Sequence, residues 1–123
     1  VADSTLERNR TDWKRILSKL FYSANDRAKR RGIVFTIELA DMLALWEKQQ
    51  GKCVMTGMPF ILELPHSDPK ENPWRPSMDR IDPLKGYEVG NIRLVVKIGN
   101  YARHNFPEKD LEYFCRRYLE LNT

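Results

Sequence analysis

The residues of this chain that could do chemistry gather between positions 76 and 104. Pro76-Ser-Met-Asp-Arg-Ile-Asp-Pro83 carries two carboxylates, Asp79 and Asp82, around the guanidinium of Arg80. Lys85-Gly-Tyr87 and Gly90-Asn-Ile-Arg-Leu-Val95 follow, then Asn100-Tyr-Ala-Arg103 with His104 directly behind. A carboxylate with an amide or imidazole is what a hard divalent cation such as Mg2+ takes from a protein, leaving other positions for water and phosphate oxygens. Asp79 can supply the carboxylate. Asn100 and His104 have the i,i+4 spacing that puts two side chains on one helical face. A plainer reading of the same residues is a hairpin with turn chemistry and an ion pair between Arg80 and Asp82.

Elements must hold these residues together. Ser77–Ile81 and Ile92–Val96 have strand character, and Pro83, Gly86 and Gly90 lie between them, which predicts a hairpin with a long loop. Period two puts Arg80 and Asp82 on one face and Asp79 on the other. Asn91 is expected to bond backbone across the loop and fix the end of the first strand. A helical stretch from Lys97 to about His104 follows, and Pro107 opens a last helix with Leu111, Phe114, Cys115, Tyr118 and Leu119 on one face. Upstream, Trp13, Ile16, Leu17, Leu20, Phe21 and Ala24 recur at helical spacing, with Thr11 as candidate N-cap and a stop at Arg30-Arg31-Gly32. Leu39, Met42, Leu43 and Trp46 predict a second helix closed by Gly51. Four of the seven prolines fall in residues 62–76, a loop composition in which His66 is expected to be exposed.

At 123 residues, 41% hydrophobic and 31% charged, the chain suits one soluble domain over residues 1–123. Residues 1–50 form its helical, basic part, 51–104 its core and 105–123 its C-terminal helix. No run approaches the roughly 20 apolar residues of a membrane helix. With no export signal in the first residues, a cytoplasmic setting is expected. Cys53 and Cys115 are too far apart to be a disulfide framework, and Cys53 is expected to be a core thiol. Net charge is +4, but Glu7 to Arg31 holds nine Lys/Arg against three Asp/Glu, a local +6. That stretch is either a site for a polyanion or a solvated helix face.

The motif at 76–103 resembles that of the HNH, or ββα-metal (His-Me finger), endonucleases, nearest to the small phage-genome nucleases and the endonuclease VII group. The likeness covers roughly the second half of the chain, with a weaker match from Arg27 to Phe60. It implies an α+β fold: a two-stranded antiparallel hairpin plus helix, flanked by two N-terminal helices and one C-terminal helix. It also implies a metal-dependent DNA endonuclease, with double-stranded DNA as partner and Mg2+, or else Mn2+ or Zn2+, as cofactor. For a phage-encoded enzyme the setting would be the host cytoplasm. Asp79 and Asn100 correspond to the family's metal ligands, with His104 as a third candidate, and Asn91 to the asparagine that opens the second strand.

Arg80 stands where the family has the histidine that activates water. An arginine stays charged and accepts no proton near neutral pH. It would instead clamp a phosphate oxygen, leaving water activation to Asp82 or a metal-bound hydroxide. Lys29, Arg30, Arg31, Arg93 and Arg103 are the expected DNA contacts. Family members often carry a structural zinc on two Cys-x-x-Cys pairs. Here Cys53 and Thr56, then Val96 and Gly99, occupy those positions, so no structural zinc is expected. The alternative on the same scaffold is a DNA-binding or adaptor module of a phage-like packaging or repair assembly that has lost catalysis with its histidine.

Overall fold

A long helix packs against a small hairpin, two shorter helices contact the hairpin as well, and the last helix packs on one of these. The computed structural model describes the backbone of residues 2–63 and 68–123, and the side chains of residues 13–63, 68 and 70–123; His66 lies outside them. In chain order come α1 (Ala2–Arg31), α2 (Leu39–Gln49), a 3-10 turn (Pro69–Glu71), β1 (Pro76–Arg80), β2 (Ile92–Val96), α3 (Lys97–Arg103) and α4 (Glu108–Asn122). The fold is α+β, with four helices and one two-stranded antiparallel sheet among the described residues. None of the described helices is long and apolar enough to cross a membrane.

The 30 residues of α1 would span about 45 Å. One face of it, Trp13, Leu17, Phe21, Ala24 and Ala28, is buried. The two alanines let the rest of the protein approach closely. Thr11 does not cap this helix, because the helix begins at Ala2 and Thr11 sits in its interior. Its end falls at Arg31, where Gly32 takes a φ of +66°. In α2 the cap is Glu38. The Glu38 N–H donates to the Asp41 carboxylate at 2.7 Å and the Glu38 side chain reciprocates, a capping box. Trp46 of α2 stacks on Trp13 with ring centroids 5.1 Å apart, and on Phe60 at 5.5 Å.

Register pairs Pro76 with Val96, Asp79 with Arg93 and Arg80 with Ile92. Leu94, Val95 and Val96 are all buried, so β2 is covered on both faces. Its outer edge is closed by a side chain. The Gln49 amide donates to the Leu94 carbonyl at 2.9 Å and accepts the Leu94 N–H at 3.1 Å, as a third strand would. Cys53 is a core thiol beside it. Burial pushes its pKa up, but hydrogen bonds from the Thr56 side chain and from the backbone of Val96, Met55 and Thr56 outweigh that and leave it lowered.

The segment after α1 fixes the hairpin loop. Thr36 N–H donates to the Tyr87 carbonyl at 3.0 Å, and Tyr87 N–H to the Val34 carbonyl at 2.8 Å. Gly86 makes this approach possible, since a Cβ there would lie 2.4 Å from the Val34 carbonyl oxygen.

Candidate phosphate-binding cleft and its buried ion network

Asp79 lies one residue before the end of β1, where Arg103 of α3 reaches it, and it is buried. Both of its oxygens are taken. The Arg103 Nη1 donates to Oδ1 at 3.0 Å and Oδ2 at 2.8 Å, and the Arg93 Nε, directly across the ladder, donates to Oδ2 at 2.8 Å. Arg103 is itself only 3% exposed. Its other donors reach the carbonyls of Arg80 at 3.0 Å, Ile81 at 2.6 Å and Phe106 at 3.0 Å. Arg93 also reaches Glu108 at 3.5 Å, tying in the start of α4. One guanidinium thus joins the end of β1, the start of the hairpin loop and the turn after α3.

The expected DNA contacts at Arg93 and Arg103 are corrected by this network. Arg103 is buried against Asp79, Arg93 is shared between Asp79 and Glu108, and neither lines the cleft described below. The metal expectation at Asp79 meets the same obstacle. A divalent ion there would have to share a carboxylate already held between two guanidiniums, and their charge repels it. Asn100 turns its amide nitrogen to the Ser77 hydroxyl at 2.6 Å and the Met78 carbonyl at 3.2 Å, which leaves Oδ1 as its one metal-capable atom. No group of three or more His, Cys, Asp or Glu side chains is arranged to hold a metal among the described residues. As arranged, these residues do not fit the cation.

His104 departs from expectation as well. The helix stops at Arg103, and His104 is its C-cap with φ 51° and ψ −124°, so helical spacing does not govern where its ring points. It is exposed near Phe106. Asp82 is corrected too: its Oδ1 accepts the Leu84 N–H at 3.0 Å, an Asx turn, and it lines a separate hollow with Leu84 and Pro107. No ion pair joins it to Arg80. Arg80 instead donates to the carbonyls of Pro83 at 3.1 Å and Lys85 at 2.9 Å and lies over the Tyr87 ring at 5.3 Å. Asn91 knots the loop from the other side. Its Oδ1 accepts the Asp82 N–H at 2.9 Å, and its Nδ2 donates to the carbonyls of Asp82 and Gly86 at 3.1 and 2.8 Å.

Between α1, the hairpin and α3 lies a cleft of about 840 Å3. Arg27, Arg31, Lys70, Arg75, Arg80 and Lys97 line it, and Asp79 is the only carboxylate among the described lining residues. Asn100 and His104 line it as well. Of the basic run at the end of α1, Arg31 reaches the cleft, while Lys29 is exposed elsewhere and Arg30 pairs with Asp26 at 3.5 Å. Arg27, Lys70, Arg75 and Lys97 were not singled out from sequence. Arg27 carried a signal, its helical spacing of four from Arg31, whereas Lys70 and Arg75 sit in the Pro-rich loop and carried none. Lys97 is anchored by donating to the Lys70 carbonyl and lies over the Tyr101 ring at 5.3 Å.

No family model, curated protein or solved structure matches the chain.

Proposed function

We propose that this protein binds DNA by its phosphodiester backbone, in the cleft between α1 and the hairpin, on a scaffold of the HNH ββα kind. One observation carries the reading: six cationic side chains line a cleft whose only carboxylate among the described residues is already neutralised. Such a surface replaces the counterions condensed on a polyanion, and each phosphate so neutralised steepens the salt dependence of binding by about 0.9 in log–log slope on duplex DNA. Contacts to phosphate carry no base information, so binding is tolerant of sequence. A duplex is the partner expected for cations spread over a helix and a hairpin, with Tyr101 as the one exposed aromatic among the described lining residues.

The test is retardation of duplex DNA on a gel at graded salt. A steep salt slope that becomes shallower as cleft cations are removed supports the reading. Retention that ignores salt, or that survives loss of the cleft cations, rejects it.

A second reading, cleavage of the bound DNA by an endonuclease, is favoured by Asn100 and His104, which open into the same cleft as the cations. Incubating supercoiled plasmid with the protein and Mg2+ or Mn2+, beside Asn100→Ala and His104→Ala, separates the two. Nicking lost in either variant establishes the enzyme. Retardation without nicking at any metal leaves a DNA-binding module.

A further inference from the structure

The junction between β1 and α3 is where a divalent cation would bridge hairpin and helix, and that junction already holds a positive charge. Arg103 meets both oxygens of Asp79 and the carbonyls of Arg80, Ile81 and Phe106, so each of its three nitrogens donates. Each of those acceptors lies on a different piece of chain from α3 or beyond its end. The guanidinium thereby does what a bridging ion does: it neutralises the buried carboxylate and draws separate segments to one point. No buried side-chain nitrogen or oxygen among the described residues lacks a hydrogen-bond partner, so neither Asp79 oxygen is left unpaired. A guanidinium is also always charged and weakly hydrated, whereas Mg2+ gives up its water reluctantly.

We propose that Arg103 is the resident cation of this junction, standing in for a divalent metal, so that the hairpin and α3 assemble without one. The inference does not depend on what the cleft binds, although Asp79 lines it, because Arg103 itself lies outside the cleft lining. Nor does it depend on activity.

The direct measurement is on the unaltered protein. Substoichiometric Mn2+ is added to a nitrogen-15-labelled sample, and the Arg103 Nε–H and Asn100 side-chain signals are followed for paramagnetic broadening. Neither broadens selectively, and the melting temperature is the same in EDTA and in millimolar Mn2+. Selective bleaching of those signals, with a rise in melting temperature, would overturn the proposal. A second arm removes the internal cation. Arg103→Met melts lower than the parent and, with Asp79 unmasked, gains about 5 °C from millimolar Mn2+ that the parent does not gain. Should the methionine variant fail to fold, Arg103→Lys retains the charge but not the fork. It melts below the parent, and a melting temperature equal to the parent's would show that the fork is not what holds the junction.

Discussion

Arginines on the two sides of β1 meet opposite fates. On the side toward α3, Arg93 and Arg103 converge on one buried carboxylate and are almost withdrawn from water. On the cleft side, Arg27 and Arg31 stand exposed from α1, and Arg80 leans over Tyr87 with its face to the cleft. The first pair belongs to the folding of the hairpin, and the second group lines the cleft proposed to bind DNA. The difference is one of acceptors, not of residue type. A guanidinium surrounded by a carboxylate and carbonyls is structural, whereas one facing solvent keeps its charge for a ligand.

The largest effect expected is therefore on the buried side. Arg103→Ala leaves Asp79 in the interior with half its neutralisation gone and three carbonyls short of a donor. Breaking a buried pair from one side costs about 3–5 kcal/mol. Urea denaturation reads that loss. The double variant Asp79→Leu, Arg103→Leu should lose clearly less than the sum of its single variants, since the one charge it leaves over, Arg93, is partly exposed and keeps Glu108. If Arg103→Ala costs under about 1 kcal/mol, the two sides of β1 are not different in kind.

These fates were only partly written in the sequence. The hairpin strands were legible from Ile92–Val96 and from the turn residues around Gly86 and Gly90, and β1 came out one residue early. Local rules reach that far because strand period and turn chemistry act within a few residues. Asp79 and Arg103 are 24 residues apart, and Gln49 meets Leu94 across 45. Which cation reaches a given carboxylate is decided by packing at that range, and a spacing rule carries no information about it. Arg103 was consequently grouped with Arg31 as a DNA contact. His104 shares the cleft with Asn100, but not through helical spacing, because the backbone turns to positive φ at that residue. For α4 the apolar spacing was visible, yet none of its residues is buried, because amphipathic spacing states what a helix could cover and not what lies against it.

Arg80 sits between the two groups and gives the next largest effect. It lines the cleft, but two of its hydrogen bonds hold the carbonyls of Pro83 and Lys85. Arg80→Ala should lower stability by about 2 kcal/mol, from lost charge-assisted bonds and the contact with Tyr87. The same change should also make the salt dependence of DNA binding shallower. Arg80→His separates the roles further, since imidazole reaches the carbonyls poorly but can accept a proton. Plasmid nicking that appears only in Arg80→His would show that the cleft lacked a base and nothing else.

Arg27→Ala with Arg31→Ala should behave in the converse way to Arg103→Ala. Both residues are exposed, so stability should hold within about 0.5 kcal/mol. The log–log salt slope for duplex DNA should fall by about 2, one for each phosphate contact removed. A stability loss as large as that of Arg103→Ala would place these arginines in the fold and dissolve the contrast.

The smallest effect is expected at Lys29 and Arg30, within the same basic run. Lys29 lies about 200° around α1 from Arg27, on the far side from the cleft. Arg30 is held by Asp26 in an exposed pair that contributes little to stability. Substituting both by alanine removes as much formal charge as removing Arg27 and Arg31, so net charge is matched between the two double variants. If the cleft is what holds DNA, only the Arg27 and Arg31 variant changes the salt slope appreciably. If both change it equally, the DNA responds to the field of α1 as a whole, and the cleft would then be no more than the most concave part of a basic surface.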